Sequence, residues 1–345
     1  MKALAEGVVL CRGAIELPPA LIASLVAELL DPQVSHDSKA EFLRAFTDKG
    51  ETAPELAAFA QELLPLARPL DFSGDWNGSA LLDCCGTGGG GLPLFNVSTG
   101  MIFILAALGV PVVKHGNRGV TKKSGSADVL EALGIRVDVT PDQARRCLEE
   151  VGAVFFYAPL YHPAFATIAP VRKQLGAEGR RTVFNLLGPV LNPARPAAQI
   201  SGVFRPEQLE LYDETLRFLG RKRHAVVLGR DAATGRSIGE VSVTGTNEFR
   251  GNVDMDSWTL PVLRGDLAQL EVATAEESAA RIVEILEGRD TGLGRELLGA
   301  NAGIALCVQG HAQTLDEAMS KVRYALNSGR AAEKIKQWRE FSAKL

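Results

Sequence analysis

Short apolar runs alternate with helical patterns from residue 79 onward, and this alternation constrains the fold more than any other feature of the sequence. Helical periodicity predicts three helices, and short apolar runs predict five strands. Strands and helices that alternate at this length predict an α/β fold in which a mostly parallel sheet is covered by helices. The predicted helices are 99–108, 127–133 and 141–151, and the predicted strands are 80–84, 110–114, 135–139, 153–157 and 225–228.

The leading segment of the chain carries helical patterns only. Apolar residues recur at helical spacing in two stripes, 22–30 and 56–64, which need a partner in the rest of the chain or in a second copy. A stretch with proline and glycine, 68–78, is typical of a linker. We therefore predict a small N-terminal α-helical domain over 1–75 and an α/β domain over 76–345. Three residue pairs have the spacing of capping boxes: Ser38 with Glu41, Thr52 with Glu55, and Thr140 with Gln143.

The charge of the chain is unevenly distributed. Residues 1–75 carry six Lys/Arg and twelve Asp/Glu, a net charge of −6, whereas the whole chain has −4, so the remainder sums to +2. A weakly basic body suits anionic small molecules and makes nucleic acid an unlikely partner, because nucleic-acid affinity depends on Lys and Arg contacts.

The cysteines and the apolar runs predict a cytoplasmic protein. The five cysteines form no CxxC pair, which favours a reduced compartment. The longest apolar run, 101–113, is shorter than a bilayer span and contains a glycine and a proline, so no membrane helix is expected. The N-terminus lacks the layout of a signal peptide.

Glycine is concentrated in one loop. The chain has 35 glycines, and the segment 83–91, DCCGTGGGG, follows a predicted strand and leads through Ser98 and Thr99 into an apolar helix. Glycine lets backbone N–H groups converge on an anion, and the helix N-terminus and the two hydroxyls strengthen such a site. The loop predicts a phosphate or diphosphate cradle, although a turn without a ligand has the same pattern. The spacing matches neither Walker A nor a dinucleotide fold, which disfavours ATP and NAD.

A second loop, 114–126, begins where another predicted strand ends. It carries Lys114, Arg118, Lys122 and Lys123 and no acid, which suits a polyanionic ligand. The two adjacent lysines are also typical of a solvated surface. The histidine after Lys114 suits either a structural role or a ligand contact.

At these two loops the sequence resembles the anthranilate phosphoribosyltransferase family, and the resemblance covers almost the whole chain. It implies an α-helical domain on an α/β domain and a homodimer through the helical part. It implies a glycosyltransferase of tryptophan biosynthesis that moves the 5-phosphoribosyl group from phosphoribosyl diphosphate to the amine of anthranilate, releasing diphosphate with the help of Mg²⁺. The segments that carry the resemblance are 83–99, 114–131, 156–163, 170–172, 181–185 and 188–193.

The resemblance also implies a role for particular residues. Phosphoribosyl diphosphate is expected to contact Gly86, Gly89, Asn96, Ser98, Thr99, Lys114 and Ser126. Anthranilate is expected to contact Gly86, Asn117 and Arg172, and Mg²⁺ is expected to bind Ser98 and Glu240. Lys114 suits the charge of diphosphate and Arg172 suits a carboxylate, so these two and Asn117 are the predicted catalytic residues. His162 is expected to organise its proline-flanked turn.

The sequence departs from the family at two acidic positions. The aspartate that normally ends the glycine loop is Gly90 here, and Leu94 replaces a threonine. The family's adjacent Asp-Glu pair aligns with Gly239-Glu240, in a segment longer than the family's. Mg²⁺ takes one or two carboxylates with phosphates and waters, so one ion at Ser98 and Glu240 is expected and a second site is impaired. The missing acids put full activity in doubt.

Two other features bear on these departures. Asp231 is a candidate replacement for the missing aspartate, and an inserted stretch at 176–181 is a candidate modifier of the acceptor pocket. Three hypotheses follow: an anthranilate phosphoribosyltransferase, a relative with another acceptor, and a non-catalytic relative that binds nucleic acid. The acidic balance of the chain disfavours the third.

Overall fold

A six-stranded sheet forms the centre of the molecule, as seen in a computed structural model that describes residues 2–72, 76, 78–88, 90–119, 124–256 and 258–345. The strand order is β3-β2-β1-β4-β5-β6, with five parallel strands and an antiparallel β6 at one edge. The strands are β1 Leu82–Gly86, β2 Val112–Gly116, β3 Ala153–Tyr157, β4 Ala198–Gly202, β5 Arg223–Gly229 and β6 Asn247–Gly251. The predicted mostly parallel α/β sheet is therefore confirmed.

Helices cover both faces of this sheet, in keeping with the predicted fold class. The helices before β1 are α1 Lys2–Arg12, α2 Pro19–Leu30, α3 His36–Lys49 and α4 Ala53–Leu63. Those between β1 and β5 are α5 Val97–Ala107, α6 Ser126–Ala132, α7 Pro141–Val151, α8 Ala158–Tyr161, α9 Ala169–Ala177, α10 Val183–Leu186 and α11 Pro206–Phe218. Those after β6 are α12 Ala275–Leu286, α13 Leu293–Gln309, α14 Leu315–Asn327 and α15 Arg330–Ala343. In the described residues, no helix is both long and apolar enough to cross a membrane.

One predicted strand is wrong. Residues 135–139 run extended, with Ile135, Val137 and Val139 buried in alternation with two exposed residues, but they pair with no strand. Instead the backbone N–H of Arg136 donates to the Ser342 hydroxyl near the end of α15. Alternating burial therefore arises here from packing against a helix, which the apolar pattern alone does not distinguish from a sheet.

Helix starts follow local side-chain chemistry. The predicted capping boxes at Thr52 and Thr140 are present, and α7 has its predicted bounds. The prediction at Ser38 is wrong, because α3 begins earlier: Ser35 is its N-cap and accepts a hydrogen bond from the backbone N–H of Ser38. Ser35 lacks the glutamate three residues later that completes a box.

Two apolar cores lie on opposite faces of the sheet. Along β5, Ala225 and Val227 belong to one core, whereas Val226 and Leu228 belong to the other, as the period of two in a strand requires. The second core contains the apolar stripes of α1–α4 together with residues from 168 to 228. The N-terminal helices are thus packed against the rest of the chain, and the domain boundary at residue 75 stays a prediction.

Glycines at the strand ends allow a later segment to cross the carboxyl edge of the sheet. A Cβ on Gly202, the last residue of β4, would lie 1.7 Å from the Gly239 carbonyl oxygen. A Cβ on Gly229, which ends β5, would lie 2.0 Å from the Glu240 carbonyl oxygen. Only residues without a Cβ permit this approach, which brings Glu240 to the edge where parallel sheets bind ligands.

Candidate active site

Lys114 lies at the centre of the polar groups at the carboxyl edge of the sheet. It belongs to β2 and is only 2% exposed. Its Nζ donates to the Cys84 carbonyl on β1 and, over 3.2 Å, to the Ser98 hydroxyl in the first turn of α5. Because a buried ammonium must be hydrogen-bonded or paired, these contacts hold a positive charge at the ligand-binding edge.

Glu240 joins this cluster through Ser98. Burial raises the pKa of Glu240 to about 7, against the opposing effects of the Lys114 charge and of a hydrogen bond from the Ser98 backbone N–H. A hydroxyl and a carboxylate are oxygen ligands of the kind that Mg²⁺ takes. The two residues predicted to bind Mg²⁺ therefore lie together, and their chemistry fits one ion.

Asn96 connects the two loops that are predicted to bind the anion. Its Oδ1 accepts hydrogen bonds from the hydroxyls of Ser124 and Ser278, each over 3.1 Å. Its own backbone N–H donates to the Ser278 hydroxyl over 2.8 Å. Since Ser126 begins α6 two residues after Ser124, the end of the second loop is fixed beside the start of α5.

Three buried polar atoms at this edge have no hydrogen-bond partner within the described residues: Thr87 Oγ1, Thr99 Oγ1 and His115 Nε2. Thr87 follows Gly86 at the end of β1, Thr99 lies in the first turn of α5, and His115 lies on β2. A buried polar atom left unpaired costs about 1–3 kcal/mol, so three of them at one edge indicate a polar ligand. Gly89, also predicted to bind the anion, lies outside the described residues.

Burial keeps His115 neutral, against the opposing effect of its hydrogen bond. Its Nδ1 donates to the Gly188 carbonyl over 3.1 Å, and its ring packs edge-on against His162. Burial, with a smaller effect of His162, lowers the pKa of His115 to about 3. His162 itself bonds the Leu191 carbonyl through Nε2 over 2.8 Å, which agrees with its predicted role in the turn.

The neutral state of His115 predicts that the fold loses stability in acid. Its pKa is about 3 in the folded chain and about 6.5 when unfolded, so the unfolded chain binds an extra proton between these values. The contribution of His115 is fully present above pH 6.5 and is lost as the pH falls, by about 2 kcal/mol at pH 5. Urea unfolding at pH 7 and pH 5 measures this loss. His115→Asn should reduce the difference, and an unchanged difference would contradict the assignment.

Arg172 and Asn117 are not hydrogen-bonded to the Lys114 cluster within the described chain. Arg172 is half-buried on α9, where its guanidinium lies 5.4 Å from the centre of the Phe184 ring. Burial lowers its pKa, and no acidic side chain in the described part of the molecule pairs with it. The Asn117 side chain accepts a hydrogen bond from the backbone N–H of Arg118 over 2.7 Å. Arg172 is therefore an unpaired cation that is separate from the cluster.

Arg118 forms a salt bridge within the chain. Its guanidinium bonds the Glu131 carboxylate over 2.6 Å and the Tyr157 hydroxyl over 3.3 Å. Lys122 and Lys123 lie outside the described residues. Of the four cations predicted to serve a polyanion on this loop, Lys114 is the one that the described geometry places at the ligand edge.

The Phe204 ring fills the space beside Gly90 and Gly239, the two positions where the resemblance predicts acids. A Cβ on Gly90 would lie 2.9 Å from its Cγ, and a Cβ on Gly239 would lie 2.3 Å from its Cζ. Gly239 also has a φ of 67°, which side chains rarely adopt. Within the described ranges, no three His, Cys, Asp or Glu side chains group closely enough to hold a metal together. These residues therefore do not fit a second ion, and the sequence patterns did not reveal Phe204.

The two remaining sequence candidates have structural contacts of their own. Asp231 is 1% exposed, and its carboxylate accepts hydrogen bonds from two threonine hydroxyls. In the 176–181 stretch, Glu178 pairs with Arg44 and Arg180 pairs with Asp48, both over 2.6 Å. These two ion pairs join the stretch to α3.

Comparison with known proteins identifies the class. A model of the glycosyl transferase family, a/b domain, matches residues 78–332. The anthranilate phosphoribosyltransferase of Chlorobium phaeovibrioides is 38% identical over 92% of this chain and 90% of its own length. That of Moorella thermoacetica is 40% identical over 86% of each chain. The chain belongs to the anthranilate phosphoribosyltransferase family, as its motifs predict.

Solved structures agree with this assignment. The crystal structure of anthranilate phosphoribosyltransferase from Thermus thermophilus matches 99% of this chain and 100% of its own, at 34% identity and a TM-score of 0.86. The Saccharomyces cerevisiae enzyme, in complex with phosphoribosyl diphosphate and Mg, has a TM-score of 0.84 at 22% identity and covers 100% of this chain and 99% of its own. The second likeness supports the fold alone.

Proposed function

We propose that this chain transfers the 5-phosphoribosyl group of phosphoribosyl diphosphate to the amine of anthranilate and releases diphosphate, a step of tryptophan biosynthesis. The observation that supports this most directly is the cluster of Lys114, Ser98 and Glu240, beside three polar atoms that have no partner in the described part of the chain. The named activity of relatives that match almost the whole chain supports the choice of substrates.

Stabilisation of the leaving group is the first task of such a site. When the bond between ribose C1 and diphosphate breaks, a cationic sugar and an anionic leaving group form. Lys114, the backbone N–H groups of the glycine loop and the N-terminus of α5 would stabilise the negative charge, and Thr87 and Thr99 would donate to phosphate oxygens. Ser98 and Glu240 would hold Mg²⁺, which neutralises diphosphate charge when bound.

Positioning of the acceptor is the second task. The amine nitrogen forms its bond to C1 as the bond to diphosphate breaks, and the nitrogen then gives up a proton. Because the lone pair of an aniline attacks a cationic carbon without prior deprotonation, no strong base is required, and alignment supplies much of the rate. Arg172, unpaired within the described chain, would hold the anthranilate carboxylate, with Asn117 and Gly86 beside it.

Anthranilate fluorescence tests this proposal. The purified protein is mixed with phosphoribosyl diphosphate, Mg²⁺ and anthranilate, and the loss of fluorescence is followed over time. We expect a loss that requires all three components and that saturates with Mg²⁺. No turnover across a wide range of Mg²⁺ concentrations would refute the proposal, and salt-sensitive binding of DNA or RNA would favour the nucleic-acid alternative.

Arg172→Gln is expected to weaken acceptor binding. A hydrogen bond to a charged group contributes about 1.5–3 kcal/mol, which corresponds to a rise of about tenfold to a hundredfold in the KM for anthranilate. The KM for phosphoribosyl diphosphate should stay near the parent value. Lys173→Gln, which removes an exposed charge from the adjacent position of α9, is the matched control. Equal effects of the two substitutions would contradict the role of Arg172.

We also propose a homodimer in the cytoplasm. Val9 on α1 and Ile15 after it are apolar and 69% and 53% exposed, which suits a surface that meets a second copy. All five cysteines are free and buried, which suits a reducing compartment. Light scattering should give twice the mass of the 36.8 kDa chain, and a monomer mass would refute the dimer.

A further inference from the structure

The segment between β5 and Glu240 forms a turn that is closed by its own hydrogen bonds. The backbone N–H of Gly235 donates to the Asp231 carbonyl over 2.8 Å, and that of Asp231 donates to the Arg236 carbonyl over 3.0 Å. The Asp231 carboxylate accepts the hydroxyls of Thr234 and Thr244 over 2.8 and 2.9 Å. The hydrogen bonds of Asp231 therefore stabilise the turn, and Arg236 is its last residue.

Arg236 reaches the glycine loop from this turn. Its Nη2 donates to the Gly91 carbonyl over 2.7 Å. The next residue, Ser237, packs so closely that a Cβ on Gly91 would lie 2.0 Å from its carbonyl oxygen. No acidic side chain in the described ranges pairs with Arg236. The guanidinium thus lies at the end of the predicted diphosphate cradle, and its remaining N–H groups are available to a ligand.

The end of the cradle beside Arg236 carries glycines at the two positions where the resemblance predicts acids. Gly90 and Gly239 carry no carboxylate, and the Phe204 ring occupies the space beside both. A second metal ion therefore has no protein carboxylate there, whereas the diphosphate charge still requires a counterion. A guanidinium supplies a permanent positive charge and a planar fork of donors that suits phosphate oxygens.

We propose that Arg236 is the second cation of the diphosphate site, so that this chain holds phosphoribosyl diphosphate with a single metal ion. This inference rests on the proposed function. It makes Arg236 a direct ligand of the diphosphate and makes the 231–236 turn the element that positions it. A guanidinium then supplies the positive charge at the side of the site where Gly90 and Gly239 offer no metal ligand.

Calorimetric titration with phosphoribosyl diphosphate in saturating Mg²⁺ tests the ligand role. Arg236→Gln keeps a polar amide on a shorter side chain but removes the charge, and we expect at least about tenfold weaker binding. Arg230→Gln removes a charge that pairs with Glu248 at the base of the same turn, and it should bind within twofold of the parent. Ribose 5-phosphate, which lacks diphosphate, should bind equally to parent and Arg236→Gln.

The outcomes separate this inference from the proposed function. Parent protein that fails to bind phosphoribosyl diphosphate refutes the function itself. A parent that binds, with Arg236→Gln within twofold of it, overturns the inference alone. Equal weakening of ribose 5-phosphate also overturns it, because Arg236 would then act only on the loop. Electron paramagnetic resonance with Mn²⁺ should count one ion per bound phosphoribosyl diphosphate, and a count of two overturns the inference.

Discussion

Lys114→Met should lower kcat/KM for phosphoribosyl diphosphate by about a hundredfold to a thousandfold, the range for loss of one preorganised charge-stabilising group. The lysine is buried between the Cys84 carbonyl and the Ser98 hydroxyl, so water does not replace its charge. The Lys114 charge also opposes the rise in pKa that burial causes at Glu240 and Asp83, so its loss should leave Glu240 more protonated and a weaker ligand for Mg²⁺. Initial rates of anthranilate fluorescence loss measure the effect.

A matched lysine separates this effect from a loss of folding. Lys334 is partly buried on α15 and donates to the Val151 carbonyl over 2.8 Å, away from the cluster. Lys334→Met removes the same atoms and should leave kcat/KM within about threefold of the parent. Thermal unfolding of both variants reports any common cost in stability. If Lys114→Met kept parental turnover, the cradle assignment would be wrong.

The fold could be predicted where local chemistry decides it. The α7 helix has its predicted bounds because Thr140, Gln143 and Gly152 satisfy both of its ends. Strand β4 was missed because AQISG contains two polar residues, and it is a strand because neighbours on both sides pair with it. Residues 135–139 are the converse, a strand-like pattern that has no neighbour to pair with. Pairing is tertiary information that a single sequence does not state.

Some residues of the candidate site could likewise be predicted from sequence, and others could not. Loops that follow strands can be predicted from sequence, so Lys114 and Ser98 were both predicted to contact an anion, and the two side chains are hydrogen-bonded to each other. The position of Phe204 beside the site could not be predicted, because Phe204 contacts glycines that lie more than 100 positions upstream and 35 positions downstream in the sequence. The hydrogen bond from Arg236 to the Gly91 carbonyl could not be predicted for the same reason. Side chains that act across the fold need coordinates to be recognised.

Gly202→Ala is expected to lower both the free energy of unfolding and the activity. Its Cβ would lie 1.7 Å from the Gly239 carbonyl oxygen, so the 239–240 backbone must move off the end of β4. Over-packing of this kind costs typically 1–3 kcal/mol, and we expect about 3 kcal/mol because the clash is with backbone. Since Glu240 moves with its backbone, the Ser98–Glu240 contact should open and the Mg²⁺ concentration for half-maximal rate should rise at least about tenfold.

Gly176→Ala is the control that isolates the backbone contact. Gly176 lies on α9, and a Cβ there meets no atom within 4 Å, so alanine should stabilise the helix by about 0.5–1 kcal/mol. Urea unfolding and Mg²⁺ titration of the rate compare the two variants with the parent. A Gly202→Ala protein with parental stability and Mg²⁺ dependence would show that residues 239–240 do not rest on the strand ends. The position of Glu240 would then not depend on these contacts, and the glycines at the ends of β4 and β5 would not be needed for its function.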